Sequence, residues 1–209
     1  MRIVADNLAC RRSERLIFAN LSFTLADGQA LVVTGRNGAG KSSLLAILAA
    51  RLRPEAGNVR VEGAGEAPLT ELVNFVGHRD GLKSALTAEE NLAFARAILG
   101  RAALTPKEAL ARVGLEHAAR LPVAYLSAGQ RRRVGLARLF VSARPVWLLD
   151  EPTSALDAAS QEALGVAMRD HLAAGGLIIA ATHAPLGLDG AATLRIERPV
   201  LAADAGEAA

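Results

Sequence analysis

The amino-acid sequence predicts an α/β fold with a mostly parallel core sheet, an antiparallel β region at the N-terminus and a helical subdomain inserted at about residues 82–142. Three observations predict it. Continuous apolar runs at residues 30–34, 146–149 and 177–181 suit strands buried on both faces, and helical stretches separate them. Residues 2–8 and 15–25 alternate apolar and polar side chains, as half-buried antiparallel strands do. From residue 87 to 121 the pattern turns helical. Strands alternating with helices imply a parallel sheet, and ligands of such sheets collect at the carboxyl ends of the strands.

In chain order, the two alternating segments form the antiparallel region, and Asp27-Gly28 turns the chain into the first buried strand. A glycine-rich stretch at residues 35–42 then opens a helix over residues 42–52. Shorter strands are expected at 58–62 and 72–77, with Pro54 and Gly57 punctuating the approach to the first. Thr87-Ala-Glu-Glu90 and Thr105-Pro-Lys-Glu108 are capping boxes that open helices of the insertion, and Ser127-Ala-Gly-Gln130 is a third box before an apolar-striped helix. Strands at 146–149 and 177–181 flank a helix that Ser154-Ala-Leu-Asp157 is expected to cap. Residues 1–201 are expected to form one domain, and residues 202–209, poor in apolar anchors, a mobile tail.

Composition removes several function classes. The chain has 209 residues, 51% of them hydrophobic, enough for a sizeable core. Its longest apolar runs fall far short of the roughly 20 residues a bilayer-spanning helix needs. The start lacks the basic-then-apolar layout of a secretory signal, so the chain is not expected to cross a membrane. Cys10 is the only cysteine, which excludes an intrachain disulfide, fits a reducing cytoplasm and reads as a small filler beside a strand. The formal charge of +3 invites a nucleic-acid reading. Aromatics at 3% leave little for base stacking, and the basic residues, nearly all arginine, are scattered. No nucleic-acid partner is assigned, and Arg131-Arg132-Arg133 reads as a solvated helix face or a set of ion-pairing partners.

The chemistry concentrates at Gly35-Arg36-Asn37-Gly38-Ala39-Gly40-Lys41-Ser42-Ser43. Glycines let the backbone curl so that several N–H groups aim at phosphate oxygens, and the helix that follows adds about half a positive charge at its N-terminus. Lys41 is placed to reach the β- and γ-phosphates and Ser42 to offer its hydroxyl to Mg²⁺, so ATP with Mg²⁺ is the expected ligand. Asp150 and Glu151 follow a buried apolar run, which sets two carboxylates where substrate should lie. Asp150 suits the Mg²⁺ shell, and Glu151 suits orienting and polarising an attacking water. The Ser127–Gln130 box reads either as a plain helix start or as an anion site lacking its anion.

The order of these motifs, ending in Thr182-His183, resembles that of the ATP-binding cassette ATPases over nearly the whole chain. The resemblance implies the P-loop NTPase fold and a site completed by a second copy, whose phosphate loop supplies the γ-phosphate contacted by Ser127, Gly129 and Gln130. It also implies that Asp157 sits at the subunit seam and that His183 contacts the γ-phosphate and the catalytic water. Two positions depart from the pattern. Val76-Gly77-His78 carries histidine where the family has glutamine, leaving His78 to contact Mg²⁺, its water or the nucleotide through a neutral ring nitrogen. The aromatic residue expected about 23 positions before Gly35 is replaced by Arg12, whose guanidinium plane is a candidate cover for adenine.

The segment Gly77-His78-Arg-Asp-Gly-Leu-Lys-Ser-Ala-Leu-Thr-Ala-Glu-Glu-Asn-Leu92 is more specific. It looks like that of the ATP-binding subunits of heme exporters in cytochrome c maturation. That resemblance implies a peripheral subunit on the cytoplasmic face of the inner membrane, docked on integral membrane subunits, whose ATP hydrolysis drives heme delivery by releasing a loaded heme chaperone. Two alternatives stay open: an ATPase subunit moving another substrate, and a soluble cassette ATPase of DNA repair or translation.

Overall fold

The computed structural model describes residues 1–197. The expected tail, residues 202–209, and the expected domain end at 201 lie outside the described residues. Strands β1 (Arg2–Arg12) and β2 (Arg15–Ala26) form an antiparallel hairpin, and β4 (Ala56–Glu62) pairs antiparallel with the other edge of β1. This sheet runs longer than the alternation suggested because bulges, with Asn7 and Asn20 at positive φ, shift the register and keep both arms paired past residue 8.

The second sheet is wholly parallel in the order β5-β6-β7-β3-β8, built from β3 (Ala30–Thr34), β5 (Val73–Val76), β6 (Val146–Asp150), β7 (Leu177–Ala181) and β8 (Ala192–Arg195). Every residue of β6 and β7 is buried, which is why these segments read as unbroken apolar runs. Alternate side chains serve opposite cores. Leu148 and Ile179 join Leu44, Leu45 and Leu48 of helix α1 (Lys41–Leu48), while Trp147, Leu149 and Ile178 face Leu164 and Met168 of helix α6 (Ala158–Ala173). Each such large side chain contributes about 1.5–3 kcal/mol through burial, so the sheet is clamped firmly from both faces.

Helix α1 stops short of residue 52 because Ala50 adopts φ +53°, and the Arg51 N–H turns back to the Ala46 carbonyl. Between the sheets' strands lie a four-residue turn of helix, α2 (Leu69–Leu72), then α3 (Ala88–Leu99), α4 (Pro106–Arg112) and α5 (Ala128–Ala137). All three expected capping boxes are formed at the starts of α3, α4 and α5. These helices share a core of their own that includes Leu92, Leu110, Leu115, Leu126 and Val134. Helix α6 is capped differently from the sequence expectation. The Asp157 carboxylate accepts from the Ser160 N–H at 2.8 Å, whereas Ser154 closes a turn onto the Glu151 carbonyl. Cys10 lies in the main core, where burial pushes its thiol pKa up, as suits a filler.

Candidate active site

Because β3, β5, β6 and β7 run parallel, the loops that follow them emerge at one edge of the sheet. That edge carries a cavity of about 530 Å³ whose wall includes Asn37, Gly38, Gly40, Lys41, Ser42, Ser43, His78, Asp150, Glu151 and His183. Ten of the residues singled out from sequence thus meet around one space. Ile17 of β2, which the sequence did not single out, completes the wall.

The glycine loop owes its shape to backbone conformations closed to other residues. Gly40 has φ +107°, and a Cβ there would lie 2.4 Å from Ile17 Cγ2. Gly35 has φ +135°, and its Cβ would lie 2.5 Å from the Ile196 carbonyl oxygen. Gly35 and Ala39 line the far side of the loop, in a neighbouring cleft beside Arg15 and Arg36. Gly40 also sits at the N-cap of α1 without a side-chain cap, and no acidic residue occupies the first turn, so the N-terminus of α1 keeps the positive end of its dipole uncompensated, as suits an anion. Lys41 bends back over the loop, donating to the Gly35 carbonyl at 2.7 Å and lying 2.8 Å from His183 Nε2. Lysine carries only donors, so Nε2 accepts and a neutral His183 ring holds its proton on Nδ1. Asn37 Oδ1 lies 3.2 Å from the same nitrogen.

Glu151 follows the last residue of β6 with φ +47°, a left-handed conformation that costs a non-glycine residue about 1–3 kcal/mol. Its N–H donates to the Ala181 carbonyl at 2.8 Å, and Thr182 Oγ1 donates to its Oε2 at 3.1 Å. The Thr182 hydroxyl in turn accepts from the Ala184 N–H at 3.0 Å. The carboxylate is therefore oriented from the loop after β7, which also carries His183. Thr182 was visible in the sequence only as the neighbour of that histidine.

Several sequence-selected residues lie outside this cavity wall. Arg12 is exposed at the end of β1, opposite Arg15 in the hairpin. Ser127, Gly129 and Gln130 sit at the N-terminus of α5. There the Ser127 N–H donates to Gln130 Oε1 at 2.8 Å and Ser127 Oγ accepts from the Gln130 N–H at 3.2 Å. Gly129 packs against the segment leading to Asp157, since a Cβ there would lie 2.9 Å from the Ala155 carbonyl oxygen. Hydrogen bonds from Ser160 hold the Asp157 carboxyl below its ordinary pKa. The triple arginine is not a solvated face. Arg131 and Arg133 donate to the Leu126 and Val113 carbonyls, and Arg132 is buried.

The donor set favours a hard cation. Ser42 and Asp150 contribute oxygens to one wall, and among the described residues no group of three or more His, Cys, Asp or Glu gathers. Mg²⁺ suits such a site, because it takes one or two protein oxygens and fills its octahedron with waters and substrate phosphates. An imidazole is a poor direct ligand for it, so His78 fits a contact to water or nucleotide better. Among the described residues no helix is long and apolar enough to cross a membrane.

Comparison with known proteins agrees with this geometry. The ABC transporter family profile matches residues 18–154. The cytochrome c biogenesis ATP-binding export protein CcmA of Rhodopseudomonas palustris (strain BisB5) is 54% identical over 189 residues, covering 90% of this chain and 94% of the relative. The protein of the same name from Bradyrhizobium diazoefficiens is 53% identical over 191 residues, with 90% and 95% covered. Among solved structures, a dimeric ATP-binding cassette in a post-hydrolysis state bound to ADP and Pi superposes with a TM-score of 0.74 at 25% identity, covering 87% of this chain and 88% of that one. With the family profile matching residues 18–154 and relatives more than 50% identical over 90% of its length, this chain belongs to the ABC transporter family of ATP-binding cassette ATPases, in the CcmA branch.

Proposed function

We propose that this chain is the ATP-hydrolysing subunit of a membrane export complex of cytochrome c biogenesis, powering heme delivery and release of the heme chaperone. The observation that carries the reading is the 54% identity, over 90% of the chain, to a relative named for ATP-binding export in cytochrome c biogenesis. In this reading the α1 N-terminus and loop amides bind the phosphates of ATP, and Lys41 leaves the Gly35 carbonyl and His183 for the β- and γ-phosphate oxygens, a stronger charge-assisted contact. Ser42 and Asp150 would hold Mg²⁺, which would supply positive charge against the phosphates. Glu151, oriented by Thr182, takes the proton of the attacking water, and His183 Nε2, vacated by Lys41, is available to the γ-phosphate or that water. His78 contacts water or nucleotide from the loop after β5. Arg12 covers adenine with its guanidinium plane. Ser127, Gly129 and Gln130 act on the nucleotide of a second copy, with Asp157 at the seam, and the pair docks on integral membrane subunits at the cytoplasmic face of the inner membrane.

Two measurements test it. Glu151→Gln is expected to bind ATP, to hydrolyse it at least about 100-fold more slowly and to accumulate as a nucleotide-bound pair; normal turnover would remove Glu151 from the mechanism. Copurification with an integral membrane subunit is expected, whereas association with DNA or ribosomes and no membrane subunit would overturn the export reading.

A further inference from the structure

Arg132 is the most densely bonded side chain near the cavity, although it touches none of the space itself. Only 3% of the residue is exposed. Its guanidinium spends all five N–H donors. Nη1 donates to the Gly77 carbonyl at 2.8 Å and to Asp80 Oδ1 at 3.0 Å, Nη2 to the Asp150 and Glu151 carbonyls at 2.9 and 2.8 Å, and Nε to the Pro152 carbonyl at 3.4 Å. Three consecutive carbonyls can converge on one planar group only if the backbone turns sharply there, and Glu151 at φ +47° is that turn. The same fork holds Gly77, the residue before His78, through its carbonyl. Its one charge partner, Asp80, belongs to that loop as well.

A buried arginine is an expensive way to stabilise a helix, because desolvating the charge costs several kcal/mol before its bonds are counted. An apolar residue at this inward-facing position of α5 would fill the space without that cost. What the guanidinium adds is rigid, planar, multidentate geometry. It applies this geometry at the backbone of the carboxylate and of the loop bearing His78, from a helix whose first turn is Ser127–Gln130. We infer that Arg132 is a positioning residue: it locks the left-handed Glu151 backbone and the loop after β5 in register with each other and with the N-terminus of α5. The inference rests on the reading of Glu151 as the carboxylate that acts on water. A consequence is that α5 holds the Glu151 backbone directly through the Arg132 hydrogen bonds.

The test is steady-state ATP hydrolysis by the full chain carrying Arg132→Gln or Arg132→Lys, with fluorescent-nucleotide binding and thermal unfolding measured beside it. The cavity wall that binds phosphate is untouched, so KM and nucleotide affinity are expected to stay within about threefold. A carboxylate displaced by about 1 Å is expected to lower kcat about 100-fold. Arg132→Lys, which keeps the charge but has three donors for five acceptors, should fall between wild type and Arg132→Gln. Unchanged kcat in a folded variant, or a loss of nucleotide binding as large as the loss of kcat, would overturn the inference. If Arg132→Gln does not fold, Arg132→Lys and Asp80→Asn carry the same test with the same two outcomes. Glu151→Gln assayed in parallel separates the two levels. Its normal turnover would sink the carboxylate reading, whereas a slow Glu151→Gln beside fully active Arg132 variants would sink only the positioning role.

Discussion

The three capping boxes offer an internal comparison that predicts the effect of one substitution, Gln130→Glu. At the starts of α3 and α4 the third residue is glutamate, and its Oε2 takes both the backbone N–H and the hydroxyl proton of the threonine, with hydroxyl contacts of 2.9 Å for Thr87 and 2.7 Å for Thr105. Those hydrogen bonds hold Glu90 and Glu108 below their ordinary pKa, so both are charged at neutral pH. At the start of α5 the third residue is Gln130, which is uncharged and takes only the Ser127 N–H. The Ser127 hydroxyl accepts from Gln130 and, among the described residues, donates to nothing. Its proton is therefore not taken by the third residue, and the first turn of α5 holds no acidic residue. Gln130→Glu should preserve the cap, changing stability by no more than about 0.5 kcal/mol, while consuming that proton and adding a charge. A unit charge at about 5 Å from a phosphate oxygen costs ~0.8 kcal/mol in bulk water and ~3.3 kcal/mol at a partly buried seam, which slows hydrolysis roughly 4- to 250-fold. The assay is steady-state ATPase at low and high salt, with the defect shrinking as salt screens it, beside a nucleotide-binding measurement that should be unaffected in the isolated monomer. Wild-type hydrolysis at low salt by folded Gln130→Glu would refute the idea that the α5 N-terminus meets a phosphate.

Two further predictions concern the frame around the site. Arg144, buried between the helical region and β5, donates to the carbonyls of Leu99, Thr70 and Val73. Arg144→Met should orphan them at a combined cost of about 3 kcal/mol, seen as a melting temperature lower by about 6–12 °C; a shift under about 2 °C would refute that role. His171 stacks on Trp147 at 3.9 Å and bonds the Pro145 carbonyl at 3.0 Å, and burial lowers its pKa below the ordinary 6.5. The unfolded chain then takes up the proton first as pH falls, so stability present above about pH 6.5 is lost progressively through the window down to the lower folded value. The urea midpoint should therefore drop less between pH 7.5 and 5.5 in His171→Gln than in wild type, and equal drops would contradict the assignment.

Much of this was legible in the sequence where one physical requirement dominates a stretch of chain. Strands buried on both faces must be continuously apolar, which exposed β3, β6 and β7. A loop with three glycines at positive φ cannot be built from other residues, which exposed residues 35–42. Where requirements are distributed, the sequence was silent. Strand β8 has four residues and a mostly exposed face, so no apolar run marks it. The cap of α6 was assigned to a box opened by Ser154 because the spacing fitted, yet Ser154 is used in a turn and Asp157 caps alone. Arg12 could not be set against the cavity without knowing the hairpin register, which bulges determine. Three consecutive arginines on a helix project about 100° apart, so a single run contains both half-exposed and buried members, and composition alone does not say that Arg132 turns inward.

The division of the candidate site follows from the same geometry. Lys41, Asp150, Glu151 and His183 stand at one sheet edge because their loops follow parallel strands, and nothing further is needed to bring them together. The α5 N-terminus is held differently. Arg132, one turn into the helix, binds the carbonyl side of the β6 terminus, and the Gly129 backbone packs against Ala155, so the box opened by Ser127 is anchored behind Glu151 and outside the cavity wall. In that position the Ser127 hydroxyl and the α5 N-terminus do not line their own chain's cavity. In the proposed pairing they meet a phosphate held by the α1 N-terminus of a second copy. In the same pairing each Arg132 would link a partner's phosphate to its own chain's carboxylate, through its hydrogen bonds to the Asp150 and Glu151 carbonyls.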